Sequence, residues 1–441
     1  MWLPQREWIR HREDPETGRA TPTASDTGSG RSHDPSAPPG PEPPPGRMNP
    51  PASPPSEPYL VAGLSRDRLL ALFRAMVLAR GAEERLEHLF HQGHITGGLY
   101  RSLGQEAGAV GAAYALRRRS DGTGDILAQT IRATGAVFLM GGRPVDYFRQ
   151  YLARATGPTK GREANVHWSD FQRGLLGPVS PLGSMVEVMA GITLAFRLKG
   201  EDRVGMVFGG DGASSTGAWH EGLNLAAVQR CPMVLMVEAN QWAFATPTSR
   251  QTRVVSFLEK CEGYGITGVS VDGTDLLAVY EASRGAVDRA RAGAGVQMVE
   301  LRYYRRRGHA QHDAQEYVDP EELRHWEARD PLEGFRNRLL AEGWALEEEI
   351  EAIRQETEQA LAAAAARAVD EPRPDGEEAR KGIWSGLEVP VPWYRTREGT
   401  PGGPTLLRVE DRPPVVDPFH MEGDDWMEGE DLDHQGERGE A

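Results

Sequence analysis

Two polar side chains stand where apolar runs stop. Asp211 lies between glycines in "FGGDGAS", directly after the run "RVGMVF", and Asn240 closes the next apolar run in "VEANQW". If these runs are neighbouring parallel strands, both side chains face the crevice at the carboxyl edge of the sheet. A carboxylate oxygen, an amide oxygen and a backbone carbonyl are hard donors that Mg²⁺ accepts, with phosphate oxygens and water completing its shell. The spacing therefore predicts a magnesium–phosphate site.

The residues around Asp211 suit a bulky anion. Gly210 and Gly212 are expected to let the backbone turn sharply and approach a phosphate. The helix that starts after Ser214 is expected to offer free N–H groups to the same phosphates. We therefore expect the turn and the helix to act together.

A purely structural role for Asp211 and Asn240 is the alternative. A lone Gly-Asp-Gly is a short motif, so Asp211 would then only cap the following helix and Asn240 would only end a strand. Two further phosphate motifs fail on the sequence. A P-loop needs Gly-Lys-Ser/Thr where 217–219 read Gly-Ala-Trp, and a dinucleotide fingerprint needs glycine where Ser215 stands.

The elements that would position these residues alternate from residue 185 onward. Strands are predicted at "RVGMVF", "PMVLMVEAN", "GITGVSVDG" and "VQMVELRYY", with an amphipathic helix before each of them. Apolar strands separated by helices predict an α/β fold, a doubly wound parallel sheet with helices on both faces. A charged helical region at 320–370 is expected to finish the domain.

The chain before residue 185 is predicted to be helical and then irregular. A helix is expected from Ser65, which is placed to cap it, with Gly81 and Gly93 as breaks. A second helix rich in small residues is predicted at 104–116. The glycine- and proline-rich stretch at 161–185 is expected to be a functional loop, because long loops in compact domains usually are.

Composition divides the 441 residues into three parts. Only 39% are hydrophobic, and much of the deficit lies at the ends. We predict a disordered Pro-rich segment at 1–58, a domain at 59–370, and an acidic Pro/Gly-rich tail at 371–441. Met48 lies within the proline run, so we hypothesise that the first 47 residues are an over-extended gene start.

Charge and hydropathy exclude several classes of function. A net charge of −15 disfavours nucleic acid as the main partner. No apolar run is long enough to span a membrane, and no signal-peptide stretch opens the chain. The two cysteines, Cys231 and Cys261, suit a reducing compartment. A cytoplasmic protein is the expectation.

The pairing of Gly-Asp-Gly with a later Asn resembles the thiamin diphosphate motif, and the resemblance extends over residues 60–370. Many blocks are similar, in order, to the alpha subunit of the E1 component of 2-oxo acid dehydrogenase complexes: "LYRSLGQEA", "IRATG", "NVHW", "SPLG", "GDGASSTGAWHEGLNLAA", "EANQWAFATPTS", "GYGI", "VDGTD" and "RRGHAQHD". This implies the thiamin diphosphate-binding fold. Asp211, Asn240 and the carbonyl of Trp242 would be the Mg²⁺ ligands.

The resemblance also assigns the cofactor contacts. Arg132 would bind the diphosphate, because a planar guanidinium fits two phosphate oxygens, and Gly212 and Ala213 would supply backbone donors. The family usually has tyrosine where Ile131 stands, which puts one contact in doubt. The aminopyrimidine would meet Leu176 and Ser180 and be bent by Leu182. Met185 replaces a polar residue that helps to hold potassium in branched-chain relatives, so a potassium site is doubtful.

His309 is the predicted catalytic residue. The resemblance places it in the loop over the thiazolium, where imidazole can stabilise or protonate the enolate and orient the acyl acceptor. His312 and Asp313 would help to order this loop. The alternatives are a surface histidine or a zinc site with His312, for which only two ligands are visible. Ala310 stands where mitochondrial relatives are phosphorylated, so we expect no kinase control at this loop.

Two neighbouring features leave their roles open. Tyr100 falls near a family histidine that reaches the substrate. Arg305, Arg306 and Arg307 either meet the acidic surface of a lipoyl domain or form a solvated charge run.

The resemblance implies an enzyme that is incomplete alone. A beta subunit would contribute the glutamate that activates the cofactor, in an α2β2 heterotetramer, and a lipoyl-bearing E2 would receive the acyl group. "ATPTS" and the charged helical end favour a branched-chain 2-oxo acid such as 2-oxoisovalerate; pyruvate and acetoin are the alternatives. A non-catalytic paralogue is the alternative of a different class.

Overall fold

A six-stranded parallel sheet forms the centre of the computed structural model, which describes residues 61–381. The predicted segment 1–58 and residues 382–441 of the predicted tail lie outside the described residues. The strands are β1 (Ile126–Ala128), β2 (Leu175–Leu176), β3 (Gly205–Gly210), β4 (Met233–Ala239), β7 (Thr267–Asp272) and β8 (Gln297–Arg302), in the order β2-β1-β3-β4-β8-β7. A two-stranded antiparallel hairpin, β5 (Trp242–Ala243) with β6 (Thr246–Pro247), follows β4.

Helices surround the sheet in the pattern that the sequence predicts. They are α1 (Arg66–His91), α2 (Glu106–Tyr114), α3 (Thr134–Leu139), α4 (Pro144–Tyr151), α5 (Ser184–Lys199), α6 (Gly217–Val228), α7 (Glu259–Tyr264), α8 (Leu276–Arg289), α9 (Pro320–Glu327), α10 (Pro331–Ala341) and α11 (Glu347–Asp370). Within residues 61–381, no helix combines the length and the apolar character needed to cross a bilayer.

The two faces of the sheet bury two different hydrophobic cores. Along β3, Met206 and Phe208 pack into the core that contains α1, α2 and α8, whereas Val207 between them packs into the core that contains α5 and α6. This alternation follows from the two-residue period of a strand. The prediction of a doubly wound parallel sheet with helices on both faces is confirmed.

Helix α1 differs from its prediction at one position. Ser65 caps the helix, and its Oγ accepts a hydrogen bond from the N–H of Arg68. Gly81, however, lies inside the helix and does not break it. A Cβ at Gly81 would lie 2.7 Å from Cδ1 of Leu361 in α11, so the glycine lets the two helices cross closely. Gly93 follows the end of α1 with φ +77°, as a terminating glycine does.

The carboxyl ends of β3 and β4 lie side by side and carry the predicted site. Their register pairs Gly210 with Glu238. Asp211 then opens a short 3-10 helix, Asp211–Ser215, which leads to α6, and Asn240 leads into the β5–β6 hairpin. The sheet topology therefore brings Asp211 and Asn240 to one edge.

The hydrogen-bonded structure continues past α11. The N–H of Ala155 donates to the carbonyl of Pro372, and Arg149 on α4 forms an ion pair with Glu371. Residues 371 and 372, at the start of the predicted tail, therefore contact α4 and the loop after it.

Candidate active site

A cavity of about 280 Å³ opens at the carboxyl edge of β1, β3 and β4. Eight of the ten residues singled out from the sequence line it: Arg132, Leu182, Asp211, Gly212, Ala213, Asn240, Trp242 and His309. The topology thus gathers residues from distant parts of the chain into one space.

Leu176 and Ser180 are not among the lining residues. Leu176 is 5% exposed and lies in β2, where its side chain packs into the core that contains α5 and α6. Ser180 is exposed on the loop that follows β2. Leu182 is 62% exposed, so of the three predicted pyrimidine contacts it alone offers its side chain at the cavity.

Asp211 is a buried carboxylate with both oxygens engaged. Its Oδ1 accepts a hydrogen bond from the N–H of Gly212 at 2.8 Å, and its Oδ2 accepts one from Thr248 Oγ1 at 2.6 Å. Burial raises the pKa of Asp211, while these hydrogen bonds act in the opposite direction. A carboxylate fixed in this way is oriented for a cation, whose charge would favour the ionised form.

Asn240 is held between α2 and the hairpin. Its Nδ2 donates to Gln105 Oε1 at 3.1 Å, and its Oδ1 accepts from the N–H of Trp242 at 3.3 Å. Gln241 and Phe244, on either side of β5 (Trp242–Ala243), have φ angles of +73° and +56°. Such strained backbone is typical of functional sites. The carbonyl of Trp242 is 3.5 Å from a guanidinium nitrogen of Arg305.

The glycines beside Asp211 act differently from the prediction. Neither Gly210 nor Gly212 has a positive φ, so neither is needed for a left-handed turn. A Cβ at Gly212 would lie 2.4 Å from the Cβ of Ala243 in β5, so glycine is required there by close packing. A Cβ at Gly210 would meet nothing within 4 Å, and Gly210 lines the cavity.

Arg132 supplies a buried cation suited to an anion. It is 8% exposed, and one terminal nitrogen donates to the carbonyl of His309 at 2.5 Å. Burial and then the charge of Arg305 lower the pKa of Arg132 to about 10. Within residues 61–381 its Nε has no hydrogen-bond partner. A phosphate oxygen would satisfy this donor and offset the repulsion between the two arginines.

His309 lies under apolar cover at the cavity wall. Its ring stacks on Phe244 at 3.8 Å between centroids and meets Tyr100 edge-on at 5.3 Å. Burial, followed by the charges of Arg132 and Arg305, lowers the pKa of His309 to about 4. The imidazole is therefore neutral at physiological pH, with one N–H donor and one acceptor nitrogen.

The loop that carries His309 is ordered by Asp313. Its Oδ2 accepts from the N–H of His309 at 2.6 Å and from the Tyr317 hydroxyl at 2.7 Å, and Arg305 donates to that hydroxyl at 2.6 Å. Asp313 therefore fits its predicted role, while His312 is exposed.

The interpretation of 305–307 as a solvated charge run is wrong for its first two residues. Arg305 is 1% exposed and Arg306 pairs with Asp330 at 2.5 Å, so only Arg307 is exposed.

Several residues of the site were not singled out from the sequence, among them Gln129, Glu238, Phe244 and Thr248. Glu238 could have been identified from the sequence, because it is a charged residue within the apolar run "PMVLMVEAN". It is 3% exposed, accepts from the Tyr303 hydroxyl at 3.3 Å, and has a pKa raised by burial. The other three have ordinary loop environments in sequence, and only the fold brings them to the site.

The zinc alternative finds no support among the described residues. Within 61–381, no group of three or more His, Cys, Asp or Glu side chains is placed to hold a metal ion. A site made of one carboxylate, one amide and one carbonyl is of a different kind.

Comparison with known proteins agrees with the geometry. The sequence profile of the family described as "Dehydrogenase E1 component" matches residues 74–377. The chain is 33% identical over 326 residues to the alpha subunit of acetoin:2,6-dichlorophenolindophenol oxidoreductase of Bacillus subtilis (strain 168), covering 74% of this chain and 96% of the relative. It is 32% identical over 319 residues to the alpha subunit of the pyruvate dehydrogenase E1 component of Rhizobium meliloti (strain 1021), covering 72% and 90%.

A third relative has a different substrate in its name. The alpha subunit of 2-oxoisovalerate dehydrogenase of Bacillus subtilis (strain 168) is 34% identical over 291 residues, covering 66% of this chain and 86% of the relative. The chain therefore belongs to the dehydrogenase E1 component family, among its alpha subunits.

Proposed function

We propose that this chain is the alpha subunit of a thiamin diphosphate-dependent 2-oxo acid dehydrogenase. With a beta subunit it would decarboxylate a 2-oxo acid and transfer the acyl group to the lipoyl group of an E2 acyltransferase. One observation carries the proposal: Asp211, Asn240 and Trp242 line the same cavity as the buried Arg132. Donors for a hard cation and a donor for an anion thus share one space, as a metal-bound diphosphate requires.

The residues present fit this cofactor. Asp211, Asn240 and the Trp242 carbonyl would hold Mg²⁺, and Arg132 and the backbone of Ala213 would contact the diphosphate. Among residues 61–381, the Nε of Arg132 has no hydrogen-bond partner and the space beside Gly210 is open, which supports this assignment. When bound, thiamin diphosphate supplies the carbanion chemistry of decarboxylation.

His309 would act on the substrate as a neutral imidazole. With a pKa of about 4 it keeps both a donor and an acceptor nitrogen near neutral pH. The donor would stabilise a developing oxyanion, and the ring would orient the acyl acceptor. Phe244 and Tyr100 hold the ring in place and keep water from it.

The proposed beta subunit would complete the site. The cavity mouth exposes apolar side chains, with Val179, Leu182 and Phe244 at 42%, 62% and 67% exposure. A covering subunit would bury them and bring the carboxylic acid that activates the cofactor. Glu238 is a poor candidate for that acid, because it pairs in register with Gly210, next to Asp211 at the metal end.

We propose a branched-chain 2-oxo acid as the substrate, with pyruvate and acetoin as alternatives. The segment "ATPTS" and the charged helical end of the domain are the features that favour the branched-chain type. A catalytically silent paralogue would keep the fold and lose turnover.

The test is co-expression with the beta subunit and a dye-reduction assay on 2-oxoisovalerate, pyruvate and acetoin. The order of kcat/KM identifies the substrate, and no reduction with any of them favours the paralogue. Asp211→Ala should abolish Mg²⁺-dependent cofactor binding and leave the fold largely intact. Asp288→Ala, at an exposed position on α8, is the matched control. Activity that survives in Asp211→Ala contradicts the site assignment.

A further inference from the structure

We propose that the side-chain amide of Gln129 binds the diphosphate of the cofactor, a contact built by this chain where its relatives use another residue. The inference rests on the proposed function. Gln129 directly follows β1, lines the cavity and is 1% exposed. Its own N–H donates to the carbonyl of Leu176 at 3.3 Å, so its backbone is fixed to the sheet.

The amide of Gln129 is buried with its hydrogen-bonding capacity unused. A glutamine amide has two donor hydrogens and an acceptor oxygen. Within residues 61–381, neither Nε2 nor Oε1 of Gln129 has a hydrogen-bond partner. Buried polar groups in native proteins are nearly always paired, so such an orphan calls for a partner. Since Gln129 is at the cavity, a ligand can supply one.

Gln150 shows that a buried glutamine amide in this fold is not necessarily left without hydrogen-bond partners. It is also 1% exposed, yet its Nε2 donates to the carbonyls of Glu163 and Asn165, and its Oε1 accepts from Thr159. The fold thus satisfies the amide of one deeply buried glutamine, whereas the amide of the other has no partner among residues 61–381.

The neighbouring groups identify the class of ligand. Arg132 Nε and the indole N–H of Trp219, at the same cavity, also lack partners among the described residues. Three residues at one cavity thus each carry a buried N–H donor without a partner among the described residues. An acceptor-rich anion satisfies all three, and a diphosphate has the oxygens to do so.

Ile131 explains why this chain would need the amide. The family resemblance places a tyrosine there, and Ile131 instead packs against the core formed by α1, α4 and α11. No hydroxyl is available at that position. Gln129, two residues earlier, can replace the lost polar contact with its amide.

The experiment measures binding by the full chain, alone and with its beta subunit. Isothermal titration with Mg²⁺ plus inorganic pyrophosphate, and with Mg²⁺ plus thiamin diphosphate, gives Kd without turnover. Gln129→Met should raise both Kd values about tenfold, the worth of one hydrogen bond to a charged group. Its melting temperature without ligand should not fall, because the amide it removes is unpaired.

Gln150→Met is the matched control with the opposite outcome. It should lower the melting temperature by about 2–4 °C or more, because paired atoms are left without partners, and should leave both Kd values unchanged. Gln129→Glu, which keeps the size of the side chain, should weaken binding more than Gln129→Met, because a carboxylate repels the anion.

Each result bears on one proposal. Wild-type protein that binds neither ligand, with or without the beta subunit, contradicts the proposed function. If wild type binds both ligands and Gln129→Met and Gln129→Glu have the same Kd values as wild type, the proposed role of Gln129 is overturned and the proposed function is not. A melting temperature of Gln129→Met as low as that of Gln150→Met also overturns it, because the amide would then be paired within the fold.

Discussion

The imidazole of His309 stacks on the phenyl ring of Phe244, with 3.8 Å between centroids and 25° between planes. Phe244 belongs to the segment that follows β4, and His309 to the loop that follows β8, which is the next strand in the sheet. Two adjacent loops are thus joined through one pair of rings. The pair also removes the imidazole from water, which is the main cause of its low pKa.

Removing the phenyl ring should raise the pKa of His309 from about 4 toward its usual value of 6.5. Phe244→Ala exposes the imidazole to water, which favours the charged form. Histidine resonances followed by NMR from pH 3.5 to 8, assigned with His309→Gln, measure the shift. Phe171→Ala removes a similarly exposed ring outside the cavity and should leave it unchanged.

The lowered pKa of His309 also determines how the stability of the fold changes with pH. A histidine with a lowered folded-state pKa stabilises the fold fully above 6.5, and this contribution is lost as the pH falls from 6.5 through about 4. Phe244→Ala should therefore lose less stability over this window than wild type. An equal loss in both proteins would contradict the assignment of the low pKa to apolar cover.

Alanine at the two glycines beside Asp211 should have opposite effects. Gly212→Ala places a methyl group 2.4 Å from the Cβ of Ala243, and such overpacking typically costs about 1–3 kcal/mol of unfolding free energy. Gly210→Ala meets no atom within 4 Å and should unfold like wild type. Because its methyl group enters the proposed diphosphate space, it should weaken cofactor binding. Urea unfolding and cofactor titration test both; wild-type cofactor affinity in Gly210→Ala would place the diphosphate elsewhere.

Lys260 should support the turn that holds Asp211. Its Nζ donates to Ser214 Oγ at 3.0 Å, and that hydroxyl donates to the carbonyl of Asp211 at 2.7 Å. Lys260→Met leaves Ser214 without this charged donor, so the Mg²⁺ concentration for half-saturation with cofactor should rise about fivefold to tenfold. Lys260→Arg should restore most of the affinity.

Lys199→Met, at a lysine with a 70% exposed side chain, is the control for loss of charge. Equal Mg²⁺ affinity in wild type and Lys260→Met would show that the turn keeps its shape without the lysine.

Asp330 should anchor the segment that precedes His309. It caps α10 through the N–H groups of Leu332 and Glu333, and it also pairs with Arg80 and Arg306. Asp330→Ala removes the cap, takes away the ion pair of the partly buried Arg306 and leaves Arg80 paired with Glu106 only, so we expect a loss of about 3 kcal/mol in unfolding free energy. Denaturant unfolding measures this loss, and limited proteolysis should show faster cleavage near Arg306.

Asp319 provides a matched comparison, because it caps α9 ahead of a proline just as Asp330 caps α10. It is exposed, and its cap is a single hydrogen bond to Glu321. Asp319→Ala should therefore cost only about 1 kcal/mol. Similar losses in the two variants would mean that the ion pairs of Asp330 add nothing.

Periodicity made most of the fold readable. The four predicted strands from residue 185 onward are present as β3, β4, β7 and β8. Strands β3, β4 and β8 are almost entirely buried, as apolar runs in a covered parallel sheet are, whereas β7 is the partly exposed edge strand. The two-residue strand β2 lies inside the stretch expected to be irregular, and its sequence differs little from a loop. Gly81 was predicted to break α1, but it allows α11 to cross α1 closely. The sequence around Gly81 does not show this, because its contact, Leu361, is far away in the chain.

The sequence predicts the residues of the site best where a polar side chain directly follows a strand. Asp211 and Asn240 are marked by their position, and Arg132 and His309 by resemblance. The sequence does not identify Thr248 or Gln129. Thr248 is identified by its hydrogen bond to Asp211, and Gln129 by the lack of a partner for its amide among the described residues, and both are seen only in the folded chain. Leu176 shows the converse, because the side chain of a residue that the resemblance assigns to the cofactor packs into the hydrophobic core.

Three consecutive arginines, Arg305, Arg306 and Arg307, have three different environments: one buried against Tyr317, one paired with Asp330, and one in solvent. A macromolecule approaching this side of the protein would therefore encounter one exposed guanidinium rather than three. The electrostatic attraction of these three residues for an acidic domain is correspondingly small.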